Sequence, residues 1–250
     1  MGDIIMILHG ENQKEFYENM DHLKLGEKIR QAGKVLIKIN LARPAESGHP
    51  RTDPSLLADI LRYVHANGGT CAIAESANGY LEQNLKLAGL SEVIDDCGAQ
   101  VLDLDFADTD LVDITGEEHY LPKILKEYCL RIAVPAASKR PGMIFSNNVK
   151  LFVGAVPRNR YQLGDEVVDY RPRIHLNLHR SVANLYRSIQ WYAPFHFYIN
   201  GGLAVDERRG EFRFPQILIG SDALELDEYV LKTYFPGLEA PEYLKILAEY

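Results

Sequence analysis

Short apolar runs that alternate with longer helical segments constrain the fold of this chain more than any other feature. The runs of strand length are Ile4–Leu8, Val35–Ile39, Cys71–Ala74, Val101–Phe106, Leu130–Val134, Phe195–Ile199 and Gln216–Ile219. Apolar strands that alternate with helices are typical of a mostly parallel sheet that is covered on both faces. We therefore predict a single α/β domain over residues 1–250, with a doubly wound, Rossmann-like sheet and helices on both of its faces.

Residues 53–67 carry the clearest helical signal. Thr52 or Asp53 can cap this helix, Pro54 suits its first turn, and Gly68 follows its end. Apolar side chains recur along it at helical spacing: Leu56, Leu57, Ile60, Leu61 and Val64. The other predicted helices are Lys14–Ala32 (interrupted near Gly26), Leu81–Leu87, Glu92–Cys97, Leu121–Tyr128, Ser146–Phe152, Pro172–Tyr186, Asp222–Tyr234 and Pro241–Tyr250.

Charge and hydropathy favour a cytoplasmic protein. The formal net charge is -8, and a chain of this sign lacks the basic face of a sequence-blind nucleic-acid binder. The apolar run Ile4–Leu8 is too short for a membrane span or for the core of a signal peptide. We therefore expect no nucleic-acid partner and no membrane partner, and we leave a homo-oligomer open.

The three cysteines, Cys71, Cys97 and Cys129, are far apart and form no Cys-x-x-Cys motif. An iron–sulfur cluster normally needs four thiolates, so we expect none within one chain. The sequence indicates no other cofactor.

A first group of polar residues follows the strand at Val35–Ile39. Ligands in open α/β sheets sit beyond the carboxyl ends of the strands, so polar residues there are candidates for a site. The group consists of Lys38, Asn40, Arg43, Ser47, His49, Arg51 and Thr52, and it leads to the N-terminus of the helix that opens at Asp53. Lys38, the arginines and the free N–H groups of that helix could together hold a carboxylate or a phosphate. In the alternative, Lys38 pairs with an acid and the loop is a solvated connection.

Glu75 ends the next strand and is the second candidate. It could act as a general base or pair with Lys38 if their strands are neighbours. A purely structural ion pair is the alternative.

A third group is basic and lies after the strand at Leu130–Val134. It contains Lys139, Arg140, Lys150, Arg158 and Arg160. In a net-acidic chain this group indicates an electropositive patch, of which we assign Lys139 and Lys150 to anion binding. A solvated surface run is the alternative.

His175 and His179 are four residues apart on a predicted helix. This spacing can bring two imidazoles to one metal, although most such pairs are ordinary polar helix residues, and we assign no metal ligand. His175 is retained as a candidate proton carrier. Asp222 is first of all a helix cap, and Asp227 could face either the pocket or solvent.

Several pieces of the chain occur in an order that resembles a known family. They are Val35 to Asn40, Thr52-Asp53-Pro54, Glu75, Val134-Pro135 with Lys139, Val149 to Gly154, and Ile217 to Asp222 with Asp227. In this order they resemble the family catalogued as domain of unknown function 362, from Val35 to Tyr234. The resemblance implies an α/β fold, and at fold level the family is distantly similar to the lactate-racemase superfamily.

Three interpretations of function follow, of which the third is a structural α/β domain with no retained site. In the first, the chain is an enzyme acting on a small anionic metabolite, held by Lys38, Asn40 and Arg51, with Glu75 or His175 moving a proton. In the second, it is a non-catalytic accessory or binding protein, serving a redox system whose iron–sulfur clusters are on another chain. The second rests on the resemblance, because some relatives carry a ferredoxin-like segment that this chain lacks. Lys150-Leu151 stands where the family usually has Lys-Asn, and this departure favours the second and the third interpretations.

Overall fold

The computed structural model describes residues 5–8, 13–41, 49–157, 161–163, 166–168, 174 and 176–249. The strands are β1 (Ile5–Leu8), β2 (Lys34–Ile39), β3 (Thr70–Glu75), β4 (Gln100–Asp103), β5 (Thr109–Val112), β6 (His119–Pro122), β7 (Leu130–Val134), β8 (Ser138–Lys139), β9 (Tyr161–Leu163), β10 (Glu166–Val168), β11 (Phe197–Asn200), β12 (Leu203–Asp206), β13 (Gly210–Arg213) and β14 (Gln216–Gly220). The helices are α1 (Gln13–His22), α2 (Leu25–Ala32), α3 (Pro54–Ala66), α4 (Leu81–Leu87), α5 (Ser91–Asp96), α6 (Asn148–Leu151), α7 (Leu178–Tyr192), α8 (Ala223–Tyr234) and α9 (Glu242–Ala248). Short 3₁₀ helices cover Leu104–Phe106, Lys123–Glu127 and Phe152–Ala155.

Within these residues the main sheet has seven strands in the order β1-β14-β11-β7-β2-β3-β4. The run from β11 through β7, β2 and β3 to β4 is parallel throughout. On the other side, β14 is antiparallel to β11, and β1 is antiparallel to β14. The predicted α/β fold with a mostly parallel sheet is confirmed.

Two apolar cores lie on the two faces of the sheet, because successive side chains of a strand point in opposite directions. On one face, strand residues pack with α6, α7, α8 and α9, as in the cluster Leu36, Ala74, Ala133, Tyr198, Leu218, Phe152, Leu185, Val230 and Leu244. On the other, they pack with α1, α2, α3 and α5, as in the cluster Val35, Ile37, Ile73, Ile132, Met20, Ile29, Ile60 and Ile94. Helices therefore cover both faces of the sheet, as predicted.

Helix α3 forms for the reasons that its sequence predicts. Asp53 is its N-cap, and Oδ1 of Asp53 accepts hydrogen bonds from the backbone N–H groups of Ser55 (2.9 Å) and Leu56 (3.3 Å). Pro54 occupies the first turn, where its missing N–H costs nothing. Gly68, after the helix, adopts a φ of +77°, which a residue with a Cβ rarely does.

The structure corrects three predicted elements. Residues 121–128 are not a helix: β6 pairs with β5 and ends at Pro122, and only a 3₁₀ helix follows. The predicted helix Ser146–Phe152 is shorter, since α6 covers only Asn148–Leu151 before the 3₁₀ turn. Helix α7 continues to Tyr192, six residues past the predicted end. Over a segment as short as residues 121–128, apolar spacing cannot distinguish a helix from the end of a strand that is followed by a 3₁₀ turn.

No helix in the described part of the chain is long and apolar enough to cross a membrane.

Candidate functional site

Lys38 and Glu75 form a buried ion pair at the carboxyl ends of β2 and β3. The Lys38 Nζ lies 2.8 Å from Glu75 Oε2, with Lys38 fully buried and Glu75 3% exposed. The strand register places Lys38 opposite Ala74, so the two side chains meet diagonally at the end of the sheet. The pair therefore occupies the place where ligands bind in sheets of this kind.

Backbone groups complete the surroundings of this pair. Glu75 Oε2 also accepts from the N–H of Leu41 (3.0 Å), and Oε1 accepts from the N–H of Ser76 (2.9 Å). The Lys38 ammonium donates a second hydrogen bond to the Ile39 carbonyl (2.7 Å). Because each charge has hydrogen-bond partners besides the other, the pair satisfies the condition under which buried charges are tolerated.

Gly154 lies directly against the pair. A Cβ added at position 154 would overlap Glu75 Oε1 and would lie 3.1 Å from the Lys38 Nζ. The Gly154 carbonyl accepts from the N–H of Ser76 (2.9 Å), which fixes the 3₁₀ turn over the carboxylate. Only glycine leaves room for the ion pair here. Sequence reasoning did not single out this residue, although it ends one of the stretches that resemble the family.

Thr52 joins the two ends of the loop that follows β2. Its Oγ1 donates to the Val134 carbonyl (2.7 Å) and accepts from the N–H of Asn40 (2.8 Å). Its own N–H donates to the Asn40 carbonyl (2.9 Å). Among the described residues, the side chain of Asn40 makes one long contact, 3.4 Å from Nδ2 to the Ala136 carbonyl. The loop ends are therefore anchored beside the carboxyl ends of β2 and β7.

Two of the predicted anion-binding cations are matched by carboxylates. Arg51 Nη1 lies 2.8 Å from Glu211 Oε2, and the Lys139 Nζ lies 2.9 Å from Glu207 Oε2. Both glutamates belong to the β12–β13 hairpin, whose β12 pairs with β8. An anion binding at Arg51 and Lys139 would have to compete with these carboxylates.

The remaining predicted site residues are dispersed. His49 lies near Arg140, with 3.4 Å between the His49 Nδ1 and the Arg140 Nη1. Lys150 is half-buried in α6. Arg43 and His175 lie outside the described residues, so the structure says nothing about them.

Of the predicted histidine pair, His179 lies within the described residues and His175 does not. His179 lies in α7 and stacks on Tyr243, with ring centroids 6.1 Å apart. In the part of the chain that the structure describes, no group of three or more His, Cys, Asp or Glu side chains is placed to hold a metal ion.

Asp227 is the centre of a second polar cluster at the same edge of the sheet. Its Oδ1 accepts from the backbone N–H and the side-chain Nδ2 of Asn148 (2.8 and 3.0 Å), and its Oδ2 accepts from the N–H of Val149 (3.2 Å). Complete burial raises the pKa of the Asp227 carboxyl to about 7, against the opposing effect of these hydrogen bonds. The sequence could not decide where Asp227 points, and the structure places it inside the protein.

Three asparagines extend this cluster. Asn200, at the end of β11, accepts at Oδ1 from the Nδ2 groups of Asn147 (2.6 Å) and Asn148 (3.1 Å). It returns a hydrogen bond from its own Nδ2 to Asn148 Oδ1 (3.1 Å). The cluster thus ties the start of α6 to β11 and α8. Its hydrogen bonds join residues that are 53 apart (Asn147 and Asn200) and 79 apart (Asn148 and Asp227), and so no local sequence pattern predicts these contacts.

Ser76 and Asp105 shape the turn that follows Glu75. The Ser76 hydroxyl donates to Asp105 Oδ1 (2.6 Å), and the N–H of Gly79 donates to Asp105 Oδ2 (2.7 Å). Asn78 and Gly79 both adopt a positive φ, of 57° and 76°, in this turn. Sequence reasoning missed Asp105.

Comparison with known proteins gives one finding that bears on family. A search of curated proteins finds no match. The family model described as Domain of unknown function (DUF362) matches residues 35–232. This match says nothing about the lactate-racemase superfamily, and that distant similarity stays a prediction. Because residues 35–232 are most of the chain and include the Lys38–Glu75 pair, the strands β3 to β14 and Asp227, the chain belongs to the family Domain of unknown function (DUF362).

Proposed function

We propose that this chain is an enzyme that transfers a proton to or from a small anionic metabolite, with Glu75 as the proton-transferring group and Lys38 as its partner. One observation carries the proposal: a lysine and a glutamate in contact at 2.8 Å, at the carboxyl ends of neighbouring parallel strands. A carboxylate beside an ammonium in a closed site is an arrangement that proton-transfer enzymes use.

The cations at this end of the sheet supply the means to hold an anion. In the proposal, Arg51, Lys139 and Lys150 bind the anionic group of the substrate, together with Asn40, Arg43 and His49, and His175 is a second proton carrier. Arginine suits this role because its planar guanidinium can bind a carboxylate or phosphate through two parallel hydrogen bonds. The substrate would displace Glu211 from Arg51, and the Lys38 ammonium would stabilise negative charge that develops on the substrate when Glu75 takes a proton.

The second candidate is a non-catalytic accessory or binding protein. It is favoured by the burial of both members of the Lys38–Glu75 pair, since a structural ion pair needs no access to solvent. The two candidates differ in a measurable way, because only the enzyme exchanges protons with a substrate.

Solvent deuterium incorporation tests the proposal without knowledge of the product. The protein is incubated in D₂O with a panel of small 2-hydroxy acids, 2-keto acids and phosphorylated acids, and C–H signals are followed by proton NMR. The enzyme is expected to exchange a C–H proton of at least one acid, and Glu75→Gln should lower the rate at least about a hundredfold, the usual contribution of a general base.

The matched control is Glu92→Gln, an exposed glutamate in α5, which should retain the parental rate. Glu75→Gln leaves Lys38 buried without its partner, so Lys38→Met/Glu75→Gln provides a second variant without either charge. Exchange that persists in the Glu75 variants would overturn the role of Glu75. If the folded parent protein exchanges no acid of the panel, the accessory function is the better one.

A further inference from the structure

We propose that the outer edge of β4 binds an extended segment of another protein, and that this segment has alternating apolar residues with a lysine or arginine at each end. The bound segment would add a strand to the main sheet beside β4. The surface, called the β4 edge below, consists of Gln100–Asp103 and the exposed side chains of residues 87–122 around it. This proposal goes beyond the reaction proposed above and does not depend on it.

Within the described residues, β4 is the last strand of the main sheet and pairs on one side. Its four residues pair with β3, from Gln100 opposite Ala72 to Asp103 opposite Glu75. Among the described residues, no other backbone hydrogen bond reaches these four. Half of the N–H and C=O groups of an edge strand face away from its neighbour, and they are a template for a further strand. An extended peptide can therefore bind here through main-chain hydrogen bonds.

Apolar side chains are exposed around this edge. Val101 lies within β4 and is 41% exposed, and Phe106, three residues after the strand, is 73% exposed. Of the eight large apolar side chains that are exposed in the described part of the chain, five belong to residues 87–122: Leu87, Val101, Phe106, Leu111 and Ile114. Exposed apolar residues that concentrate in one region indicate an interaction site, whereas singly scattered ones do not.

The same stretch accounts for the net negative charge of the protein. Residues 87–122 contain ten Asp and Glu and no Lys or Arg, whereas the rest of the chain has 25 acidic and 27 basic side chains. Six of the ten acids are exposed and form no ion pair within the described part of the chain: Glu92, Asp95, Asp96, Asp108, Asp113 and Glu118. Unpaired carboxylates around an apolar edge favour a partner with basic side chains.

Acidic side chains stand near both ends of β4. Helix α5 ends at Asp96, four residues before Gln100, so Asp95 and Asp96 lie near the amino end of the strand. Asp108 is exposed five residues after the carboxyl end of the strand at Asp103. A bound segment therefore meets carboxylates at both of its ends, whichever way it runs. Lysine or arginine at each end is the complementary arrangement.

A second copy of this chain fits the β4 edge less well. In an antiparallel pair of two β4 strands, the amino end of one strand lies beside the carboxyl end of the other. Asp95 and Asp96 of each copy would then lie near Asp108 of the other copy, and like charges that face each other across an interface are unfavourable. The charges therefore indicate a basic partner of different sequence.

Synthetic peptides test this chemistry directly. The probe is a short, fluorescently labelled peptide of alternating valine and threonine with a lysine at each end, and its binding is measured by fluorescence anisotropy. It should bind the parent protein at least about tenfold more tightly than the same peptide with a glutamate at each end. A fully N-methylated form keeps the side chains and the charges but cannot donate backbone hydrogen bonds, and it should not bind.

The variant Val101→Lys places a positive charge within the edge strand, a means by which natural proteins prevent pairing, and it should weaken binding of the probe at least about tenfold. Leu176→Lys is the matched control, because it introduces the same charge at an exposed apolar residue outside residues 87–122. It should bind like the parent. Equal binding by the parent and Val101→Lys, equal binding of the two charged peptides, or a dissociation constant above about 1 mM for the probe would overturn the proposal.

Hydrogen exchange of the parent protein locates the binding site even if the variant does not fold. Saturation with the probe should slow the exchange of the amides of residues 100–103 at least about tenfold, and unchanged exchange there would overturn the proposal. Sedimentation velocity without peptide should give the parent and Val101→Lys the same mass. A dimer that Val101→Lys dissociates would show that a second copy occupies the edge and would overturn the basic partner. None of these measurements requires a substrate, so failure of the proposed reaction would leave their outcome unchanged.

Discussion

Glu75 and Gly154 show how a single missing side chain can determine a site. Glu75 receives hydrogen bonds from Lys38, Leu41 and Ser76, and the space that its Oε1 needs is the space that a Cβ at position 154 would fill. The φ of Gly154 is not in the left-handed region, so the requirement for glycine here is one of room and not of backbone conformation.

Gly154→Ala should therefore destabilise the protein by about 1–3 kcal/mol, the usual cost of overpacking a closed interior. Urea unfolding followed by circular dichroism measures the loss. Glu75→Asp shortens the carboxylate and makes room for the added methyl group. In the double variant Gly154→Ala/Glu75→Asp, the total loss should consequently be smaller than the sum of the two single losses. Strict additivity would show that the methyl group meets something other than Glu75.

At the scale of elements, the β12–β13 hairpin supplies the carboxylates that pair with two of the cations near the carboxyl ends of the strands. Its Glu211 pairs with Arg51 and its Glu207 with Lys139, each pair partly exposed. Pairs of this exposure contribute between about 0 and 1 kcal/mol to stability, so removal of one carboxylate should leave the fold intact.

Glu211→Gln should increase the rise in melting temperature that phosphate or citrate causes, because Arg51 then loses its internal competitor. Arg51→Ala should abolish the rise. Melting is followed at matched ionic strength with sodium chloride as the reference salt, and Glu92→Gln serves as the control for loss of one negative charge. Equal responses from all four proteins would mean that the loop before α3 is only a solvated connection.

The same hairpin shows which features the sequence does not predict: contacts between residues that are far apart in the chain. Helix α3 was predictable because its cap, its first proline and its apolar spacing are all local. The Lys38–Glu75 contact was within reach because successive strands of a parallel sheet are often neighbours. The hairpin was not predicted, since Asp206 to Arg213 is mostly polar and the partner strand β8 lies 67 residues earlier. The contact between Asp227 and Asn148 was out of reach for the same reason, as it joins residues 79 apart.

For the whole molecule, Asp227 links global stability to pH. Its pKa is about 7 in the folded protein and about 4 in an unfolded chain, so between these values the folded state holds one more proton. The contribution of Asp227 to the free energy of unfolding is largest below about pH 4. It falls as the pH rises from there to the folded pKa of about 7, and it is constant above that pH. The limiting slope is about 1.4 kcal/mol per pH unit.

The free energy of unfolding of the parent minus that of Asp227→Asn should accordingly fall between pH 5 and 7 and level off above about pH 7.5. Other titrating groups cancel in this difference. Denaturant melts across this range measure it, with Asp222→Asn expected to follow the parent. A difference that is flat from pH 5 to 8 would show that Asp227 is ionised in the folded protein at every pH tested.

The pairing of β1 with β14 has a consequence for how the protein is made. Ile5 lies opposite Ile219, so the first strand of the sheet finds its partner only after 214 further residues have been made. At ordinary rates of translation, the ribosome needs on the order of ten seconds or more to make the intervening chain. During that time β2, β3, β4 and β7 can already associate, because they lie within residues 34–134. The nascent chain must therefore keep an apolar strand unpaired while most of its sheet assembles, and a chain that stops before Gln216 leaves both β1 and the edge of β11 open to other molecules.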